Sequence, residues 1–149
     1  MNIEFGVGVC GIKLGMESED IIKILGMPDK INIDEDDDTY EQMFIYNKQM
    51  MTVWFERSNK LRATLIQCFS PDVKVFGEKV FMKSKKTIIE FMKKNGFSKY
   101  EEMEEVTEEA LYYEDISAWF NFEFDRLSYI EFTMLTGNGD NIYWPYNAE

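Results

Sequence analysis

Apolar and polar positions alternate with two different periods along this chain. Ile21, Ile22 and Leu25, and later Ile88, Ile89, Phe91 and Met92, fall at helical spacing and predict two short amphipathic helices. Phe120, Phe122 and Phe124 alternate with Trp119, Asn121 and Glu123, which is the period of a strand with one face in a core. The helical stretches lie in "GIKLGMESEDIIKILGMPDK" from Gly11 and "GEKVFMKSKKTIIEFMKKNGFSK" from Gly77. An offset of 66 superposes Gly11 on Gly77, Met16 on Met82, Ser18 on Ser84 and Ile22 on Ile88. Each serine is placed to cap a helix N-terminus, Gly26 and Gly96 suit the left-handed C-terminal turn, and Pro28 stops the first helix.

The correspondence continues downstream, bringing Trp54 onto Trp119, Leu61 onto Leu127 and Ile66 onto Phe132. Both stretches read as strand, turn, strand, turn, strand. Asn47-Lys48 and Glu114-Asp115 mark the first turns, and Ser58-Asn59 and Asp125-Arg126 the second. The expected fold is α+β: two tandem copies of a helix packed on a three- to four-stranded antiparallel meander, sharing one extended sheet with the helices on one face. Residues 1–69 and 70–135 are the repeats and 136–149 a C-terminal tail that either tucks over a sheet edge or lies free. A short lead-in strand is expected at residues 3–5.

Charge changes the picture more than composition does. The net charge is -12, and residues 34–41 and 101–109 hold six acids each with no base, so the other 16 acids balance the 16 Lys and Arg and the whole excess is local. With three arginines in all, phosphate binding is disfavoured and no nucleic-acid partner is expected. A basic N-region before an apolar run and an 18-residue apolar stretch are both missing, so the expectation is a cytoplasmic chain without membrane contact. In that compartment Cys10 and Cys68 are expected as reduced thiols acting as small hydrophobes.

Candidate chemistry thins out on inspection. Asp34, Asp36 and Asp38 have the spacing that opens a calcium loop, but the position needing glycine is Thr39 and the one needing a bidentate acid is Ile45, so no metal is assigned. Gly6, Gly8 and Gly11 have dinucleotide spacing without the strand and helix around them, and read as a loosened strand or turn; no cofactor is expected. Histidine is absent, which removes the commonest general base, and no nucleophile motif stands in its place. An enzyme is not expected. Trp54 has Thr52 and Glu56 beside it, and Trp119 has Ser117, Asn121 and Glu123, so both indoles read as standing on the face away from the helices, joined by Tyr129. An aromatic, wet face is the composition of a protein-binding surface. The expected docking residues are therefore Asp34, Glu35, Asp36, Asp37, Asp38, Trp54, Glu101, Glu102, Glu104, Glu105, Trp119 and Tyr129.

The segment from Gly11 to Asp29, with Gly15-Met16 opening a helix that ends in Leu25-Gly26-Met27-Pro28, resembles the signature of the β-lactamase inhibitor protein-like superfamily, which includes small outer-membrane assembly lipoproteins. The resemblance implies helix-plus-meander units that grip a partner with the open sheet face. The acidic charge and small size also resemble bacterial immunity proteins, which neutralise a toxin. The leading expectation is a non-catalytic inhibitor or immunity module that docks a basic protein such as a toxin domain. The alternatives are a homodimeric assembly module using the aromatic face, and a carboxylate- or metal-dependent hydrolase.

Overall fold

The computed structural model describes residues 1–36, 40–106, 108–136 and 142–146. The first elements are β1 (Asn2–Ile3), β2 (Gly8–Val9), β3 (Ile12–Lys13) and α1 (Ser18–Leu25), followed by β4 (Lys30–Glu35), β5 (Tyr40–Tyr46), β6 (Met51–Glu56) and β7 (Arg62–Cys68). Then come β8 (Lys74–Val75), β9 (Glu78–Lys79), α2 (Lys85–Lys94), β10 (Glu101–Glu104), β11 (Glu108–Tyr113), β12 (Ala118–Glu123) and β13 (Arg126–Thr133). The chain closes with β14 (Leu135–Thr136) and β15 (Ile142–Tyr143). Among the described residues no helix is long and apolar enough to cross a membrane.

The expectation of two tandem helix-plus-meander copies is corrected. One eight-stranded sheet, in the order β10-β11-β12-β13-β7-β6-β5-β4, dominates the molecule, and the helices contribute only 8 and 10 residues. The class is α+β only loosely. Two physical facts account for the difference. The described parts of the two acidic stretches belong largely to strands, the first to the end of β4 and the start of β5 and the second to β10 and the start of β11, and the antiparallel pairing of β13 with β7, Phe132 opposite Ile66, fuses everything into one sheet. The proposed equivalences also break in detail, since Leu127 is buried whereas Leu61 sits exposed in a left-handed turn at φ 56°.

Pleating sorts each strand onto two faces. A buried row runs across the inner face through Phe44, Val53, Ile66, Phe132, Ala118 and Tyr113, each opposite the next. Ile21 of α1 and Ile88 and Met92 of α2 complete the same core. Ser84 caps α2 as expected, its Oγ accepting from Thr87 N–H at 3.2 Å. In α1 the cap falls one residue earlier than expected, at Glu17, whose N–H donates to Asp20 Oδ2 at 3.2 Å, so that an acid of the first turn closes the helix start from within. Gly26 closes α1 at φ 86°, while α2 ends at Asn95 and Gly96 follows in the left-handed region.

The glycine-rich start is a tight hairpin of β2 and β3, and a Cβ at Gly8 would run into the Ile12 carbonyl oxygen. β1 pairs in parallel with β8, so the lead-in strand lies at Asn2–Ile3 and Phe5 packs from a turn against Phe132 and Phe120. The described residues of the tail dock: β14 pairs with β15, the Arg62 guanidinium lies 5.2 Å from the Trp144 ring, and Tyr146 packs against the core.

Phe124 departs from its expected place in the core. It shares with Asp125 the turn between β12 and β13, both at positive φ (50° and 57°), and is 93% exposed. Left-handed φ at both central positions is the geometry that Asn-Gly favours and a bulky ring does not. Phe124→Asn is therefore expected to raise stability by about 0.5–1 kcal/mol, read from the denaturant midpoint; a drop would mean that the ring makes a contact worth more than the turn strain.

Candidate functional site

The outer face of the sheet carries a second row, opposite in parity to the core. From one edge to the other it reads Glu101, Tyr112, Trp119, Glu131, Gln67, Thr52, Ile45 and Lys30, each paired with the next. Trp119 stacks on Tyr112 with ring centroids 4.5 Å apart, and Tyr129 stacks on Phe69 at 5.1 Å. Trp54 stands on the same face, where its Nε1–H donates to Gln67 Oε1 at 3.2 Å and Gln67 Nε2 donates in turn to Glu131 Oε2 at 2.9 Å. A polar chain thus ties the Trp54 indole to the neighbourhood of Trp119 across three intervening strand gaps.

At the β10–β13 end this face is concave. A cavity of about 260 Å³ is lined by Met103, Glu105, Glu108, Trp119, Asn121, Tyr129 and Glu131, with Ala110 and Glu109. The Tyr129 hydroxyl is pushed up to about 12, first by burial and then by Glu131, Glu108, Glu123 and Glu105, so four carboxylates converge on one phenol. Burial, with Glu114 and Glu101 adding, also raises Tyr112. Among the described residues the ion pairs are Lys79–Asp72, Lys85–Glu102 and Lys85–Glu109, so Glu105, Glu108 and Glu131 have no cation beside them. The chemistry of such a cavity is plain: a flat aromatic wall and a ring of negative charge suit a guanidinium or ammonium group.

Apart from Trp54, which stands on the outer face outside the cavity lining, the expected docking residues divide into three sets. Trp119, Tyr129 and Glu105 come together in the cavity, and Glu101 lies in the same row two strands away. Glu102 and Glu104 alternate onto the other face, because successive residues of β10 point oppositely; Glu102 and Glu109 hold Lys85 Nζ at 3.8 and 3.0 Å. The Glu109 hydrogen bond is the main cause that raises Lys85. Asp34, Glu35 and Asp36 belong to the opposite edge of the sheet, and Asp37 and Asp38 lie outside the described residues.

The acidic residues expected to dock together with the tryptophans therefore lie at two opposite edges of the sheet. β10 and β4 are the two extreme strands of eight, and seven spacings of roughly 4.8 Å put them about 34 Å apart along the sheet. Sequence reasoning missed Tyr112, Glu108, Gln67 and Phe69. Tyr112 was within reach, since a turn at Glu114-Asp115 sets it opposite Trp119, and Gln67 and Phe69 needed the β13–β7 pairing, which no local signal announces.

Among the described residues no group of three or more Cys, Asp or Glu side chains is placed to hold a metal ion. Cys10 and Cys68 are free thiols, with Cys68 buried and pushed up to about 12 by that burial and by nearby Cys10.

No family model matches the chain, and no curated protein matches it. Among solved structures it is similar to an extracellular protein containing a SCP domain from Bacillus anthracis str. Ames, at 16% identity and a TM-score of 0.48. The likeness covers 90% of this chain and 48% of that one, so the chain spans about half of that protein's length.

Proposed function

We propose that this chain is a non-catalytic protein-binding module whose open face at β10–β13 docks a cationic segment of a partner protein, in the manner of an inhibitor or immunity protein facing a basic toxin domain. Kinship with the β-lactamase inhibitor protein-like superfamily, on Gly15-Met16 and Leu25-Gly26-Met27-Pro28, belongs to the same proposal. The observation that carries it is the cavity in which Trp119 and Tyr129 meet Glu105, Glu108 and Glu131, three carboxylates that form no ion pair among the described residues. Negative potential in a concave site steers a cationic partner and speeds encounter, while a partly buried indole slows release. Self-association through this face is disfavoured, because it would press those carboxylates against their own copies.

The test uses the chain as bait on extracts of its source cells, next to the triple variant Glu105→Gln/Glu108→Gln/Glu131→Gln. A basic protein retained by the parent should bind the variant at least about tenfold more weakly, since each close charge pair is worth on the order of 1.5 kcal/mol or more. A partner that binds both equally well would refute the placement.

A further inference from the structure

The outer edge of β4 is the second unusual surface. Among the described residues no strand lies beyond β4, although the buried inner row runs straight to it: Phe44 is opposite Ile31. Ile31 and Ile33, both on the core-side face, are 42% and 56% exposed. An edge strand with free backbone groups and two uncovered isoleucines is a template for another strand, unless charge or shape forbids it. The identity of that strand can be argued from β4 itself, whose sequence is Lys-Ile-Asn-Ile-Asp-Glu.

Antiparallel pairing around a twofold axis keeps each residue opposite one of the same face, so only registers that oppose residues an even number apart are allowed. Centred on Asn32, the register sets Lys30 opposite Asp34 twice, Ile31 opposite Ile33 twice, and Asn32 opposite Asn32. Opposite charges meet on the outer face and isoleucines meet on the inner one. One allowed step sets Lys30 opposite Asn32 and loses the charge pair, and the other keeps Lys30 opposite an acid, Asp36, but sets Ile31 against Glu35, so only the centred register satisfies both faces. In the centred register Asp29 comes opposite Glu35, but Asp29 lies before the strand and its Oδ2 accepts from Asn47 N–H at 2.7 Å. We propose that two copies of this chain pair through β4 in that register, continuing the sheet and its apolar row from one molecule into the other. The site is independent of the cavity at the far edge, so both can be occupied at once.

Analytical ultracentrifugation of the chain as it stands decides the matter, with charge exchange as the control. The parent should sediment as a concentration-dependent dimer. Lys30→Asp sets carboxylates opposite carboxylates and Asp34→Lys sets amines opposite amines, so each alone should weaken dimerisation by about tenfold or more. Mixed in equal amounts, the two variants are complementary at both charge pairs and should recover a heterodimer close to parental strength. Circular dichroism confirms that each variant is folded; should one of them unfold, the double variant Lys30→Asp/Asp34→Lys replaces the mixture and should dimerise like the parent. A parent that stays monomeric at all concentrations, single variants that dimerise as well as the parent, or complementary pairs that fail to recover would overturn the proposal.

Discussion

Phe132→Ala should cost roughly 3–5 kcal/mol, the range for emptying a fully buried aromatic site. Phe132 has no exposed surface, stands opposite Ala118 on β12 and Ile66 on β7, and meets Phe5 edge to face with centroids 6.0 Å apart. It therefore lies where the two groups of four strands are joined, and the cavity left by its ring would open at the seam. For a chain of this length each kcal/mol lowers the melting temperature by about 2–4 °C, so the expected drop is on the order of 10 °C or more. Phe124→Ala is the matched control, with the same chemistry at a 93% exposed turn, and should change stability by less than about 0.5 kcal/mol. Equal losses from the two substitutions would mean that the faces of the sheet have been assigned wrongly.

A second large effect concerns alkaline pH. Cys68 is pushed from the ordinary 9.0 to about 12, chiefly by burial, and Tyr113 and Tyr129 from 10.0 to about 12, again with burial first. All three are neutral when protonated, so the folded state holds protons that the unfolded state has already released. Their stabilising contribution is complete below about pH 9, begins to fall there as unfolded Cys68 ionises, steepens near 10 with the tyrosines, and is exhausted near 12. Lys85, raised by its hydrogen bond to Glu109, adds a loss of the same sign. For the buried Cys68 and Tyr113 alone, shifts of this size amount to several kcal/mol, comparable with the whole stability of a domain at about 5–15 kcal/mol. Denaturant titrations at a series of pH values should show a plateau up to about pH 9 and then a steep decline. Cys68→Val should move the onset toward 10. Phenolate absorbance should show Tyr113 and Tyr129 ionising only near 12. Constant stability to pH 11 would contradict the burial assigned to these groups.

Much of this molecule is legible in its sequence where the signal is local. The parity of Trp119 against Phe120 follows from two-residue alternation, and it correctly separates the wet face from the core. Ser84, Gly26 and the apolar stripes of both helices are short-range signals that act through a single turn, and they appear where expected. What could not be read is whatever depends on partners distant in sequence. A strand made of Glu101, Glu102, Met103 and Glu104 has poor intrinsic β-propensity, yet it forms at an edge where both faces let its charges reach water or Lys85. The same holds for the acidic end of β4. Strand order is decided by which meander edges meet, and the pairing of β13 with β7 places the two acidic stretches at opposite extremes. The apparent repeat encouraged a picture of matching units; the fused sheet shows that similar spacing of helices and strands does not specify how the strands join. Phe124 illustrates the limit at single-residue scale, since the alternation that buries Phe120 and Phe122 ends one residue before it, at the turn.

The central claim is that a cation is recognised by the aromatic, carboxylate-lined cavity and not by negative charge at large. The two acidic edges make an internal control for it. Backbone amide and indole N–H resonances of the isotopically labelled chain are followed by NMR while a short arginine-rich peptide is added. Saturable shifts are predicted for the Trp119 indole and for residues 108–112 and 129–131, with only weak, linear changes along Lys30–Glu35. Equal or larger saturable shifts along Lys30–Glu35, or a Trp119 indole that does not respond, would contradict it.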